Sequence, residues 1–85
     1  MQITIEIPNF IKDDGISLEW DYGFAIDAQQ FPSGVAIKAN KAGLISLARH
    51  LLTLSQDSVP KGHHIHFDDS NSLEDNSCEL LIEKS

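Results

Sequence analysis

The chain has 85 residues with 13 acidic against 6 basic side chains, a formal net charge of -7, and 41% hydrophobic and 22% charged residues. That length leaves room for one hydrophobic core, so residues 1–85 are expected to form a single domain, and the composition is neither that of a disordered chain nor that of a disulfide scaffold. The negative field repels phosphate backbones, which argues against a nucleic-acid ligand and for partners with basic surfaces.

Met1, Ile3, Ile5 and Ile7 alternate with Gln2, Thr4 and Glu6, the period of a strand with one dry and one wet face, and Pro8 ends the run. After a turn at Lys12-Asp13-Asp14-Gly15, Ile16, Leu18 and Trp20 fall on one side of a second strand, with Ser17, Glu19 and Asp21 on the other. Asp21-Tyr22-Gly23 forms a tight loop, and Phe24, Ile26 and Ala28 resume the alternation. Phe31-Pro32-Ser33-Gly34 is a further turn and Val35 to Ala39 a further short strand.

Asn40 then stands where an N-cap belongs, ahead of a helix from about Lys41 to Ser55. Leu44, Leu47, Ala48, Leu51 and Leu54 lie on one face, widened by Ile45 and Leu52, while Lys41, Ser46, Arg49, His50 and Thr53 lie opposite. The leucine face is expected to cover the sheet. Gly43 costs helix propensity, and close backbone contact with a strand would be a reason to keep it. Asp57, Ser58, Pro60 and Gly62 end the helix, Ile65 and Phe67 point inward from a strand over residues 64–67, and Leu80 and Ile82 do so from a last strand over residues 79–83. Between these lies a ten-residue polar loop, Asp68 to Ser77, in which Ser72 is expected to cap one helical turn. The pattern predicts an α+β fold, a mostly antiparallel sheet of about five strands with one amphipathic helix packed on one face.

Two stretches concentrate the acid. Asp13, Asp14, Glu19, Asp21 and Asp27 fall in a segment without Lys or Arg, as do Asp68, Asp69, Glu74, Asp75, Glu79 and Glu83. Such runs serve either as solvated rims or as a docking face for a basic partner. Cys78 is the only cysteine, which rules out an intramolecular disulfide and suits a structural thiol with no positive neighbour to activate it. The opening Met1-Gln-Ile-Thr-Ile has none of the features of a secretory signal, and no apolar run approaches membrane-spanning length, so a cytoplasmic location without membrane contact is expected.

His64, His66 and Asp68 project to one side of their strand, a spacing able to hold zinc or ferrous iron. With Ile65 and Phe67 inward, however, these groups face open solvent and no companion cysteine cluster supports them. The loop at Asp69 fails as a calcium site, since Leu73 and Glu74 replace a ligand and the turn glycine. No nucleophile elbow, oxyanion motif or phosphate-cradling glycine pattern is present. The chain is therefore expected to be a binding module rather than an enzyme, without cofactor, metal or catalytic residues. Two alternatives stand beside this reading: a small metal-dependent enzyme using His64 and His66, and a self-associating subunit that buries Trp20, Tyr22 or an open sheet edge.

Three separated segments, Ala39-Asn-Lys-Ala-Gly-Leu-Ile-Ser-Leu-Ala-Arg-His-Leu-Leu, Gly62-His-His-Ile-His-Phe-Asp and Asn71-Ser-Leu-Glu-Asp-Asn-Ser-Cys-Glu-Leu-Leu-Ile-Glu-Lys, together resemble the bacterial Immunity protein 32 family over roughly residues 34 to 84. The resemblance implies a protein that neutralises a toxin of a polymorphic-toxin system, with a cognate toxin of basic surface as partner. The contact candidates on this reading are His64, His66, Asp68, Asp69, Asn71, Glu74 and Asp75. Asn40 and Gly43 belong to the family pattern too, but have structural explanations as cap and close-packing residue.

Overall fold

Asn40 ties the segment at residues 23–25 to the start of the helix through every polar atom of its side chain. In the computed structural model, which describes residues 1–85, its Oδ1 accepts from the Gly43 N–H at 2.8 Å and the Ala25 N–H at 3.0 Å, and its Nδ2 donates to the Gly23 carbonyl at 2.9 Å. The N-cap read from sequence is therefore also a link between chain segments. Helix α1 runs Lys41–Ser55, preceded by strands β1 (Ile26–Phe31) and β2 (Gly34–Ala39) and followed by β3 (His64–Phe67) and β4 (Leu80–Glu83).

The α+β class is as expected, but the five-stranded sheet is not. The strands form two separate antiparallel pairs, β1 with β2 and β3 with β4. In the first, Ile26 faces Ala39 and Ala28 faces Ile37; in the second, Ile65 faces Ile82 and Phe67 faces Leu80. Residues 1–10 have no regular structure, and residues 16–20 have none either. Alternation sets which side chains turn inward, whereas a strand also requires a neighbour for its backbone groups. Ile16, Leu18 and Trp20 do pack on the core, while Met1 and Ile3 stay exposed at 111% and 67%.

The polar loop supplies what the missing strands would have given. The Glu74 N–H donates to the Ile26 carbonyl at 2.8 Å, the Cys78 N–H to the Ala28 carbonyl at 2.7 Å, and the Ala28 N–H to Ser77 Oγ at 3.1 Å. Residues 74–78 thus cover the edge of β1 that β2 does not, and then lead into β4. The expected helical turn at Ser72 is absent. Instead the Asp68 carbonyl accepts from the N–H groups of Ser72 and Leu73 at 3.1 and 2.9 Å, and the Ser72 hydroxyl donates to Asn71.

The core gathers Ile26, Ala28, Leu54, Val59, Ile65, Phe67 and Leu73, with Trp20, Phe24, Leu47, Leu80 and Ile82 packed against it. Trp20 stacks on Phe24 at 4.4 Å and meets His50 edge-on at 4.2 Å.

Helix α1 is rotated about its axis from the expected orientation: Leu54 is buried and Leu47 packs on the core as expected, but the rest of the inward stripe comes from residues read as the outer face. Gly43, Ser46, His50 and Thr53 are buried along with Leu54, while Leu44, Leu51 and Leu52 are 56%, 47% and 43% exposed. The cause is a close approach at the first turn: a Cβ on Gly43 would lie 2.7 Å from the Ala25 carbonyl oxygen and 2.9 Å from Ile26 Cγ1. Leucines do not fit in that gap, so the small and polar stripe faces inward. Ser46 Oγ accepts the Asp21 N–H at 2.8 Å, and Thr53 Oγ1 donates back to the Arg49 carbonyl at 2.7 Å, so the buried hydroxyls are satisfied. Arg49 bridges to Asp21 at 2.6 Å. No helix is long and apolar enough to cross a membrane.

Candidate functional site

Burial of Ile65 and Phe67 fixes the pleat of β3 and turns His64 and His66 outward, where both are exposed. His64 stands across the ladder from Glu83, and His66 across from Leu81. The His66 Nε2 lies 3.0 Å from Glu79 Oε1 and 3.8 Å from Asp68 Oδ2. At this exposure both contacts are screened by solvent and add little to stability.

Asp68 begins the turn that follows. Its Oδ1 accepts from the Ser70 hydroxyl at 2.7 Å, the Ser70 N–H at 2.9 Å and the Asn71 N–H at 3.1 Å. The Ser70 hydroxyl above all, then the two backbone donors, hold the Asp68 carboxyl below its ordinary pKa, and the His66 charge adds to this. Asn71 closes the turn from the other side. Its Oδ1 accepts the Asp68 N–H at 3.0 Å and its Nδ2 donates to the His66 carbonyl at 3.1 Å. Its amide is occupied in holding the loop.

Further along, Asp69 Oδ2 accepts the Asn76 N–H at 3.3 Å. Asn76 has φ 68°, a left-handed conformation that asparagine tolerates better than most residues. Asp75 is exposed. Glu74 lies against the first hairpin, in a shallow depression lined also by Ala25, Asp27, Lys38, Ala39 and Asn40.

His66 and Asp68 therefore come together, with Asp69 and Asn71 in the same turn, while Glu74 belongs to the β1 edge. Glu79 is the member that sequence reasoning missed among the contact candidates, because its proximity to His66 depends on β3–β4 register. From Asp68 to Glu83 there are six carboxylates and no Lys or Arg, and all but Asp68 belong to exposed residues. No group of three or more His, Cys, Asp or Glu side chains is disposed to hold a metal ion. The arrangement presents negative charge and hydrogen-bond acceptors to whatever approaches it.

The fold and the net charge of -7 define a small acidic α+β protein. The family model described as Immunity protein 32 matches residues 34–85, and the chain belongs to that family of immunity proteins. No curated protein and no solved structure matches the chain. The matched segment spans β2, α1, β3, β4 and all seven candidate contact residues, while β1 lies outside it.

Proposed function

We propose that the protein is an immunity protein that neutralises a cognate toxin by direct protein–protein contact through an acidic surface formed by the loop after β3, flanked by the outward histidines of that strand. The observation that carries this reading is the run of six carboxylates from Asp68 to Glu83, unrelieved by any basic residue, within the segment that places the chain among immunity proteins. Such a face favours a partner with a basic surface and raises its rate of encounter. On this reading His64, His66, Asp68, Asp69, Asn71, Glu74 and Asp75 form the contact region, with Glu79 added. Asn71 and Asp68 act mainly by shaping the loop. The protein works as a single domain in the cytoplasm, as a binder rather than an enzyme, with no cofactor, nucleic acid or membrane involved.

Co-expression with the product of the neighbouring gene tests the reading. Relief of that product's toxicity, with a complex recovered by pull-down, is the expected result; persistent toxicity with no complex would overturn it. Charge reversal at Glu74 and Asp75 together should slow association at least tenfold, since these carboxylates are exposed and make no side-chain ion pair. An unchanged association rate would remove the acidic loop from the contact.

A further inference from the structure

The outward face of α1 has no partner within the chain. Helical geometry places Lys41, Leu44, Ile45, Ala48, Leu51, Leu52 and Ser55 on the side opposite buried Gly43, His50 and Thr53. Three of the five apolar residues are more than 40% exposed, and Ile45 and Ala48 take no part in the core. Exposed leucines gathered on a helix face with no partner in the chain are suited to burial against another surface.

We propose that this face binds a second copy of the same chain, as an antiparallel helix pair about a two-fold axis at Ala48. Three observations favour that occupant. The first is the symmetry of the face itself, because a two-fold interface must be complementary to itself. Leu44 and Leu52 stand four residues either side of Ala48, Ile45 and Leu51 three either side, and Lys41 and Ser55 seven either side. An antiparallel copy therefore meets leucine with leucine and isoleucine with leucine, and the small residue at the centre lets the helices approach closely.

The second is charge. From Gly34 to Gln56 the chain carries Lys38, Lys41 and Arg49 and no carboxylate, so this is where two chains of net charge -7 meet without opposing their acids. The third is the placement of charge at the helix ends. Helix α1 has Lys41 at its N-terminus, no acid in its first turn and no base in its last, with Asp57 just beyond. This runs against its own dipole. In the antiparallel pair each Lys41 lies by the C-terminal end of the other helix, next to its carbonyls and Asp57. One face of a 15-residue helix offers a small interface, which fits a reversible dimer rather than an obligate one.

The inference does not depend on toxin binding, whose proposed contacts lie on β3 and the following loop. Sedimentation equilibrium of the full chain, from micromolar to millimolar concentration, should show a dimer forming at about 10–100 µM. Leu51→Glu should weaken it at least tenfold with unchanged far-UV circular dichroism. Lys41→Glu separates pairing from folding, since it suits the helix's own dipole. It should raise the unfolding midpoint of the chain while weakening the dimer severalfold. Ala48→Cys in a Cys78→Ser background should form a disulfide-linked dimer on mild oxidation, because only a residue at the axis meets its own copy at bonding distance. A monomer across the whole concentration range, or a dimer indifferent to Leu51→Glu and unlinked through residue 48, would overturn the proposal.

Discussion

The imidazole of His50 meets the indole of Trp20 edge-on at 4.2 Å, and neither of its ring nitrogens has a hydrogen-bond partner. It is 1% exposed, and burial, reinforced by the neighbouring Arg49 charge, lowers its pKa to about 4. His50 is thus held neutral by its surroundings.

The pH dependence follows from that. The unfolded chain protonates this histidine near its ordinary value of 6.5 and the folded chain only near 4, so the unfolded state binds more protons between the two. The stabilising contribution is whole above about pH 6.5 and is lost as pH falls towards 4, amounting to about 3 kcal/mol over the window. Urea unfolding at pH 7 and pH 4.5 should show this loss, and His50→Phe, which keeps an aromatic ring beside Trp20 and Phe67, should remove much of it. An equal loss in the variant would place the effect elsewhere.

Asn40→Ala should destabilise the protein by about 2–3 kcal/mol, beyond an ordinary capping loss, because the same side chain also serves Ala25 and Gly23. Asn40→Asp keeps the acceptor for Gly43 and Ala25 and loses only the donor to Gly23, so it should cost less. Chemical denaturation of the two variants side by side distinguishes the cap from the loop tether.

At Gly43 propensity and packing predict opposite signs. Alanine would favour the helix by up to about 1 kcal/mol, yet its Cβ would sit 2.7 Å from the Ala25 carbonyl oxygen, a backbone atom with little freedom to move. Overpacking of this kind costs about 1–3 kcal/mol, so Gly43→Ala should lower stability. A rise in the thermal midpoint would mean that the helix backs away from the hairpin without loss.

Ser77→Ala tests whether the polar loop serves as a surrogate strand. It leaves the fully buried Ala28 N–H without its acceptor and removes a hydrogen bond to Asp27. A loss of about 1–3 kcal/mol is expected, together with faster amide exchange at Ala28.

Local features were legible in the sequence. The bounds of α1, its Asn40 cap, the Pro32–Ser33 turn and the inward side of β3 all follow from neighbouring residues. Which face of α1 turns inward depends on the distance to Ala25 and Ile26, which hydropathy does not encode. Gly43, Ser46 and His50 nevertheless form a stripe of their own at helical spacing, and that stripe was the available signal. The alternation of Ile3, Ile5 and Ile7 marks faces but not a pairing partner, so no strand follows from it. Among the contact candidates, the outward direction of His64 and His66 was legible. The loop-holding role of Asn71 and the approach of Glu79 were not, because each depends on where the chain returns.

The core residues Ile26 and Ala28 lie on β1, and Trp20 and Phe24 lie before it, all ahead of the segment that carries the family signature. A fragment cut to residues 34–85 would lose these side chains and the only ladder partner of β2. The stretch by which the family is recognised is thus shorter than the stretch that must fold together.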